Sequence, residues 1–157
     1  QRSERLKKIR EEKNKGAKLL NRLSARDILM VGLGLYWGEG YKESNSELGF
    51  TNSNPDIIRF YLKWLGGRGV SKKDLIFRLT INRFFRDQEK KIKSFWIRRM
   101  KVKENQFTKT ALIKTVLKKA DFSNKNAYKG TLRVKVRRGN KLKNIILGAL
   151  DNISTYT

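Results

Sequence analysis

Apolar residues recur along this chain at two spacings, one typical of helices and one typical of strands. Residues 25–38 carry apolar side chains at helical spacing, and Ser24 precedes them with Asp27 three residues later. That pair is a variant of the capping box that begins many helices. Residues 56–65 repeat the helical spacing after the segment 54–56, which places Pro in the first turn. We therefore predict two amphipathic helices, the second ending at a Gly-Gly pair.

Strands are predicted where apolar and polar residues alternate. The clearest case is 131–137, in which Leu132, Val134 and Val136 point one way. The predicted strands are 41–43 and 47–51, joined by a hairpin around 44–46, then 75–83, 110–118 and 131–137. Two more helices are predicted, at 87–100 and 141–153. The order α, β, β, α, β, α, β, β, α predicts an α+β fold with helices on one face of an antiparallel sheet.

The positions of the large aromatic side chains and of two acids on these elements predict which of them are buried and which face solvent. Aromatic residues on amphipathic helices and strands belong to the core by default, which here covers Tyr36, Trp37, Phe50, Trp64 and Trp96. The hairpin is expected to point Glu43 and Glu47 into solvent.

The predicted outer sheet face combines basic and hydrogen-bonding side chains. Its residues are Arg78, Thr80, Asn82, Arg133, Lys135 and Arg137, and the face is almost free of acids. A solvated polar face is the ordinary expectation for an antiparallel sheet. Arg and Lys mixed with Asn and Thr are also the side chains that contact phosphates and base edges in a DNA groove.

The charge of the chain favours a polyanionic partner. Of 157 residues, 38 are Lys or Arg and 14 are Asp or Glu, which gives a formal net charge of +24 at pH 7. Such an excess repels itself in a compact chain and is normally matched by a polyanion. Nucleic acid is the first candidate and an anionic membrane surface the second. We predict a basic arm or solvated helix over 1–23 and one domain over 24–157.

Missing residue types exclude several chemistries. The chain has no Cys and no His, which excludes disulfides, thiolate nucleophiles, imidazole bases and the common zinc sites. No run of about 18 apolar residues exists, so we expect no transmembrane helix and no membrane partner. The first apolar cluster lies well inside the chain, so no signal peptide is expected. We expect a cytoplasmic, nucleoid-associated protein or one of an organellar matrix, not a secreted one.

The segment 32–40 places four glycines and an acid near the end of the first core helix. It reads Gly-Leu-Gly-Leu-Tyr-Trp-Gly-Glu-Gly. A glycine inside a helix costs about 1 kcal/mol relative to alanine, so several need compensation. Gly34 and Gly38 lie on one helix face and leave room for a second helix to approach closely. Glu39 follows at the C-terminal end, where the helix dipole disfavours an anion, so we expect a cation nearby.

This segment resembles the LAGLIDADG signature of the homing endonucleases. It matches at Gly34, Leu35, Glu39 and Gly40, while Trp37 stands where the signature has its first acid. The passage Leu-Gly-Phe-Thr-Asn-Ser-Asn-Pro-Asp and the helix after it are similar to the junction between the family's second strand and second helix. The resemblance covers residues 25–153 and implies an αββαββα core with an extra helix, in which the sheets lie in the major grooves of DNA.

The resemblance implies site-specific cleavage of double-stranded DNA by two paired motif helices. Because the chain has one copy of the motif, it implies a homodimer and a pseudo-palindromic DNA site. Glu39 of each subunit would bind a divalent metal, Mg²⁺ with Mn²⁺ as an alternative, and the carbonyl of Gly38 is a second candidate ligand. The implied dimer interface consists of Val31, Gly34, Leu35 and Gly38.

Further roles follow from the same resemblance. It implies a basic catalytic residue on a late strand, for which Lys135 and Lys114 are the two candidates. The implied DNA contacts are Lys42, Thr51, Asn52, Arg78, Thr80, Asn82, Arg133, Lys135, Arg137 and Arg138.

Two alternatives stay open at the level of sequence. A DNA-binding regulator or an RNA-binding splicing factor on the same scaffold would not cleave, since a fold can persist after its chemistry is lost. An unrelated RNA-associated basic protein, such as a ribosomal component, is the third possibility. The tryptophans and helical glycines weigh against that third possibility, because basic tails would explain the charge without them.

Overall fold

The computed structural model describes residues 1–20, 22–43, 47–114, 116 and 126–156. Within them the chain forms five α-helices and four strands, a mixed α+β arrangement. The helices are α1 (Arg2–Lys18), α2 (Ala25–Glu39), α3 (Pro55–Gly67), α4 (Glu89–Met100) and α5 (Asn140–Ser154). The strands are β1 (Gly49–Asn52), β2 (Leu75–Asn82), β3 (Ala111–Ile113) and β4 (Thr131–Val136). No helix in the described ranges has the length and apolar character needed to cross a membrane.

Local capping sets the start of the two helices that the sequence predicts best. At α2 the Ser24 side chain accepts from the backbone N–H of Asp27 at 3.2 Å, and the Asp27 carboxylate accepts from the backbone N–H of Ser24 at 2.7 Å. At α3 the Asn54 side chain accepts from the backbone N–H of Asp56 at 2.8 Å, with Pro55 in the first turn. Both predicted helix starts are confirmed.

The four strands form one sheet in the order β1-β4-β2-β3. β4 pairs antiparallel with both β1 and β2, but β3 pairs parallel with β2. The prediction of a purely antiparallel sheet is therefore wrong. After α4 the chain returns alongside β2 in the same direction, where Thr108 donates its backbone N–H to the carbonyl of Phe77 at 2.8 Å and Phe107 stacks on the Phe77 ring.

The predicted hairpin is only partly present. Its first strand, 41–43, is reduced to a bridge between Gly40 and Phe50 and one hydrogen bond from the Tyr41 N–H to the Gly49 carbonyl. The hairpin tip at 44–46 lies outside the described residues. Within 41–43, the Lys42 ammonium donates to backbone carbonyls at the end of α2.

Other boundaries differ by a few residues from the predicted ones. A 3-10 segment, Arg83–Gln88, precedes α4, so the helix begins two residues later than predicted. β3 covers three residues of the predicted 110–118, part of which lies outside the described residues. The predicted basic arm contains α1, whose side chains are all unburied. The division into an arm and a domain stays a prediction.

The core lies between the sheet and the helices. α2 and α3 contact each other and β1, α4 packs on α3, and α5 contacts α2. Tyr36, Phe50, Trp64 and Trp96 are fully or almost fully buried, as predicted. Trp37 is 44% exposed, so its assignment to the core is wrong. Its neighbour Tyr36 is fully buried, with its ring 6.3 Å from that of Trp64 on α3.

Candidate nucleic-acid interface and carboxylate centre

Glu39 is the last residue of α2 and is exposed, with Gly38 exposed beside it. The turn after Glu39 requires glycine, because a Cβ at Gly40 would lie 2.4 Å from the ring of Tyr36 and 2.5 Å from its carbonyl oxygen. Gly40 closes the helix by donating its N–H to that carbonyl at 2.8 Å. The acid is thus presented to solvent at the point where α2 meets the sheet.

Lys42 lies at the C-terminal end of α2 and binds its backbone carbonyls. Its ammonium donates to the carbonyls of Trp37 at 2.7 Å and Gly40 at 3.4 Å. Backbone carbonyls at a helix C-terminus carry partial negative charge, so a lysine there is stabilising. The predicted DNA contact Lys42 is therefore engaged with the helix that presents Glu39.

Two tyrosines connect this helix end to the outer sheet face. The buried Tyr36 donates its hydroxyl to the carbonyl of Tyr41 at 2.5 Å, and burial raises the pKa of Tyr36 to about 12. The Tyr41 hydroxyl is 2.5 Å from the hydroxyl of Thr51 on β1. Lys143, buried on α5, donates to the carbonyl of Glu43. These bonds hold the segment after Glu39 in one position against the sheet.

Strand register brings several predicted DNA contacts together on the outer face. Arg133 on β4 lies between Thr51 on β1 and Arg78 on β2. In the next row Lys135 pairs with Ile76. These rows border a groove of about 340 Å³, lined by Glu47, Ile76, Phe77, Arg78, Thr108, Lys109, Arg133 and Lys135.

Glu47 is the acid that sequence reasoning misplaced. It is half-buried in this groove, where it accepts from the guanidinium of Arg133 at 2.6 Å and from the ammonium of Lys135. Partial burial disfavours the charged form, but hydrogen bonds and attraction from Lys135 and Arg133 outweigh it and hold the pKa of Glu47 below its usual range. The prediction of a solvent-directed Glu47 is therefore wrong, and Glu47 is the one acid among the described residues that line this groove. Strand side chains alternate between the two faces, so residues an even number of positions apart share a face. Glu47 and Thr51 have this spacing, which was the signal that Glu47 lies on the outer face.

The Arg133 guanidinium has a second contact. It lies over the Tyr41 ring, 5.2 Å from the centroid. This distance is within the range of a cation–π interaction. Arg133 therefore touches both Glu47 and the segment that follows Glu39.

Three other predicted DNA contacts, Asn82, Asn52 and Thr80, are partly or wholly occupied by the fold itself. Asn82 is buried at the end of β2, where its backbone N–H donates to the Tyr128 hydroxyl at 2.8 Å and its side chain accepts from Phe84 at 3.0 Å, so it caps the following turn and does not face solvent. Asn52 likewise forms a turn, accepting from the backbone N–H of Asn54 at 2.8 Å. Thr80 is half-buried beside Thr131 on the outer face.

The remaining basic candidates are spread over different parts of the molecule. Arg137 and Arg138 are exposed in the turn after β4. Lys135 faces the central groove and is paired with Glu47. Lys114 follows β3, the sheet edge opposite to the one where Gly40 bridges β1. Within one subunit, therefore, Lys114 is not brought to Glu39.

The motif helix carries an exposed face with few side chains. A Cβ at Gly34 or Gly38 would have nothing within 4 Å. Val31 on the same face is 45% exposed, as are Met30 and Trp37 at 44% each, two residues that sequence reasoning missed. Of the predicted interface residues only Leu35 is turned partly toward the core.

The donor atoms at the end of α2 are oxygens, the type that hard cations prefer. They are the Glu39 carboxylate and the carbonyl of Gly38, and oxygen is the donor that Mg²⁺ and Mn²⁺ prefer. They are few, however. The described residues contain no group of three or more acids that could hold a metal ion.

Comparison with protein-family models, with curated proteins and with solved structures finds no match to this chain.

Proposed function

We propose that this protein is a homodimeric, metal-dependent endonuclease that cuts double-stranded DNA at a pseudo-palindromic site. The observation that carries the proposal is the exposed face of α2, which ends at Glu39. Gly34 and Gly38 have open space where a side chain would be, although glycine weakens a helix by about 1 kcal/mol per residue. A second copy of α2 packed there would explain both glycines and would bring two Glu39 carboxylates together.

The apolar residues of this face support pairing with a second subunit. Met30, Val31 and Trp37 are each close to half exposed on one helix. Exposed apolar groups that cluster in this way mark interaction sites. A two-fold interface uses the same patch on both subunits, so one copy of the motif per chain is sufficient.

The order of elements supports the resemblance to the LAGLIDADG family. α2, β1, α3, β2, β4 and α5 follow one another as in an αββαββα core, with the Gly40–Phe50 bridge in place of the first strand. α4 and β3 are additions to that core. The outer face of the sheet, with Arg78, Arg133 and Thr51 in one row, is the surface we assign to DNA.

Each group has a defined task in the proposed reaction. A divalent metal, when bound, would lower the pKa of water and stabilise the leaving oxygen. Glu39 and the Gly38 carbonyl would bind that metal. Arg133 and Lys135 would contact phosphates beside Glu47, which keeps its ion pairs with both. Lys42 holds positive charge at the end of α2 and would offset repulsion between the two Glu39 carboxylates.

Cleavage by the Glu39→Gln variant tests the proposal. Incubation of the protein with plasmid libraries in Mg²⁺ should yield double-strand breaks, whereas Ca²⁺ should permit binding alone. Glu39→Gln removes a carboxylate ligand, so the cleavage rate should fall by at least about 100-fold while DNA binding is kept. Glu104→Gln, which changes another exposed acid, is the matched control and should cleave normally.

A non-cleaving DNA-binding protein on the same scaffold is the second candidate. It is favoured by Lys42, whose ammonium already neutralises the carbonyl end of α2 without a metal. Specific binding with no breaks in Mg²⁺ or Mn²⁺ would support this candidate over the endonuclease. A chain that stays monomeric both in solution and on DNA would contradict both.

A further inference from the structure

A second basic groove lies among the helices. It has a volume of about 560 Å³ and is formed by α3, the end of α4 and the residues leading into β2. Its cations are Arg59, Lys63, Lys72, Arg98, Arg99 and Lys101, and its other lining residues are apolar or glycine. No acid lines it. We call it the α3–α4 groove.

The charge of this groove is only partly neutralised. Asp56 at its border pairs with Arg99 at 2.5 Å and with Arg59 at 3.6 Å. Lys63, Arg98 and Lys101 have no carboxylate within 4 Å in the part of the chain that the structure describes. Crowded like charges repel one another, and a bound anion relieves that repulsion.

Lys101 lines the groove although its backbone conformation disfavours any residue with a side chain. It ends α4 in the left-handed region, with φ of 53°. Glycine is the usual residue there, and a side chain in that conformation costs about 1–2 kcal/mol. The helix dipole favours cations at the C-terminal end of α4, which partly explains why basic residues stand at positions 98 and 101. It does not explain Arg59 and Lys63, which lie on α3.

The α3–α4 groove and the outer-face groove open on different sides of the sheet. Leu75 lines the α3–α4 groove and Ile76, the next residue of β2, lines the outer-face groove. Successive strand residues point to opposite faces. A short DNA duplex bound to the outer face therefore cannot also fill the α3–α4 groove.

We propose that the α3–α4 groove binds the phosphate backbone of a second double-stranded DNA segment, so that the protein bridges two duplexes. A row of Arg and Lys with no acid and few hydrogen-bonding acceptors suits sequence-independent phosphate contact. The inference rests on the proposed function for the nature of its partner, double-stranded DNA. It adds a site on α4, outside the αββαββα core.

Capture of a second duplex tests the inference. The full-length protein is bound to an immobilised short duplex, and a labelled duplex of unrelated sequence is then added. The wild-type protein should retain the label. The double variant Arg98→Gln/Lys101→Gly should lose most of the label while it still binds the first duplex, and the salt dependence of the second binding event should flatten by about two. Lys101→Gly also relieves the left-handed backbone, and urea denaturation of the double variant checks that its fold is as stable as the wild type.

The matched control removes the same charge at the other end of α4. Arg86→Gln/Lys90→Gln changes two exposed residues outside the groove and should capture the second duplex like the wild type. No capture by the wild type, or undiminished capture by the groove variant, would overturn the inference. Groove-dependent retention of single-stranded RNA without duplex DNA would overturn it as well.

The two proposals can fail separately. Arg78→Ala on the outer face should weaken binding of the immobilised duplex and leave the groove intact. If the groove variant alone loses DNA and Arg78→Ala changes nothing, the α3–α4 groove is a DNA site and the outer face is not. If only Arg78→Ala matters, the outer face keeps its assignment as the DNA surface of the proposed function and the inference falls.

Discussion

Gly32 and Gly34 are two residues apart on α2 and have opposite surroundings. A Cβ at Gly32 would lie 2.1 Å from the ring of Trp64, whereas one at Gly34 would meet nothing within 4 Å. Gly32 therefore lets α3 pack against α2 inside one subunit. Gly34 has no such packing role within the subunit, and in the proposed dimer the second subunit would occupy the open space beside it.

Alanine at these two positions should change stability in opposite directions. Gly32→Ala forces Trp64 to move and should lower the free energy of unfolding by about 1–3 kcal/mol. Gly34→Ala adds helix propensity in open space and should raise it by up to about 1 kcal/mol. Urea denaturation at a protein concentration where the chain is monomeric measures both. Equal effects of the two substitutions would contradict the assigned packing.

Glu47 should make stability depend on acid pH. Its folded-state pKa is depressed, so its contribution is fully present above the ordinary glutamate pKa of about 4.3 and is lost as the pH falls through the folded value. The difference in unfolding free energy between wild type and Glu47→Gln should therefore be constant near neutrality and shrink at acid pH. Denaturation curves over a pH series test this. A difference that grows on acidification would refute the ion pairs with Arg133 and Lys135.

At the scale of elements, α2 combines an inner face that packs and an outer face that does not. Leu33 and Tyr36 face the core, while Met30, Val31 and Trp37 remain exposed. A helix with apolar groups on both sides is usually buried on both sides. In the proposed dimer the second subunit covers the outer side.

Gly34→Leu should weaken the proposed dimer without unfolding the subunit. The new side chain fills the space that a second helix needs, and its Cβ has no atom of its own subunit within 4 Å. Light scattering or sedimentation over a concentration series should show a larger dissociation constant. Gly148→Leu is the control, since Gly148 is an exposed glycine on α5 that also has open space. A Gly34→Leu protein that dimerises like the wild type would exclude this face as the interface.

At the scale of the whole molecule, the net charge of +24 is spread over at least two surfaces. On the outer face Glu47 occupies Arg133 and Lys135, but Arg78 has no carboxylate within 4 Å in the described ranges. A cation without a partner is available to phosphate at no cost of breaking an ion pair. Arg78 should therefore contribute more to DNA binding than its cross-strand neighbour Arg133.

Salt titration of DNA binding measures this difference. Each phosphate contact adds roughly 0.9 to the slope of log affinity against log salt. Arg78→Ala should reduce the slope by about one, and Arg133→Ala by less, because its guanidinium is already held by Glu47. Fluorescence anisotropy with a labelled duplex at several salt concentrations would measure the slope for each variant. A larger change for Arg133→Ala would mean that DNA displaces Glu47 completely.

The candidate site was predictable from sequence only where a local pattern determined it. The exposed position of Glu39 at the helix end and the outward direction of Arg78, Arg133 and Lys135 follow from spacing. Asn82 follows the same alternation, yet Tyr128 and the turn at Phe84 bury it. Lys114 has the positive charge that the resemblance implies, but it follows β3, at the sheet edge opposite to β1 and the end of α2. The order of strands in a sheet cannot be read from residue spacing.

The sequence by itself determined the helix starts at Ser24 and Asn54 and the alternation of β2 and β4, because each depends on residues a few positions apart. It also determined the sign of the net charge, which is a sum over the composition. Only the tertiary structure decided that β3 pairs parallel with β2, that Trp37 faces outward, and that Glu47 meets Arg133 from 86 residues away. The physical reason is distance along the chain. Capping and periodicity act within one or two turns, whereas strand order, burial and ion pairing depend on which remote segments the fold brings into contact.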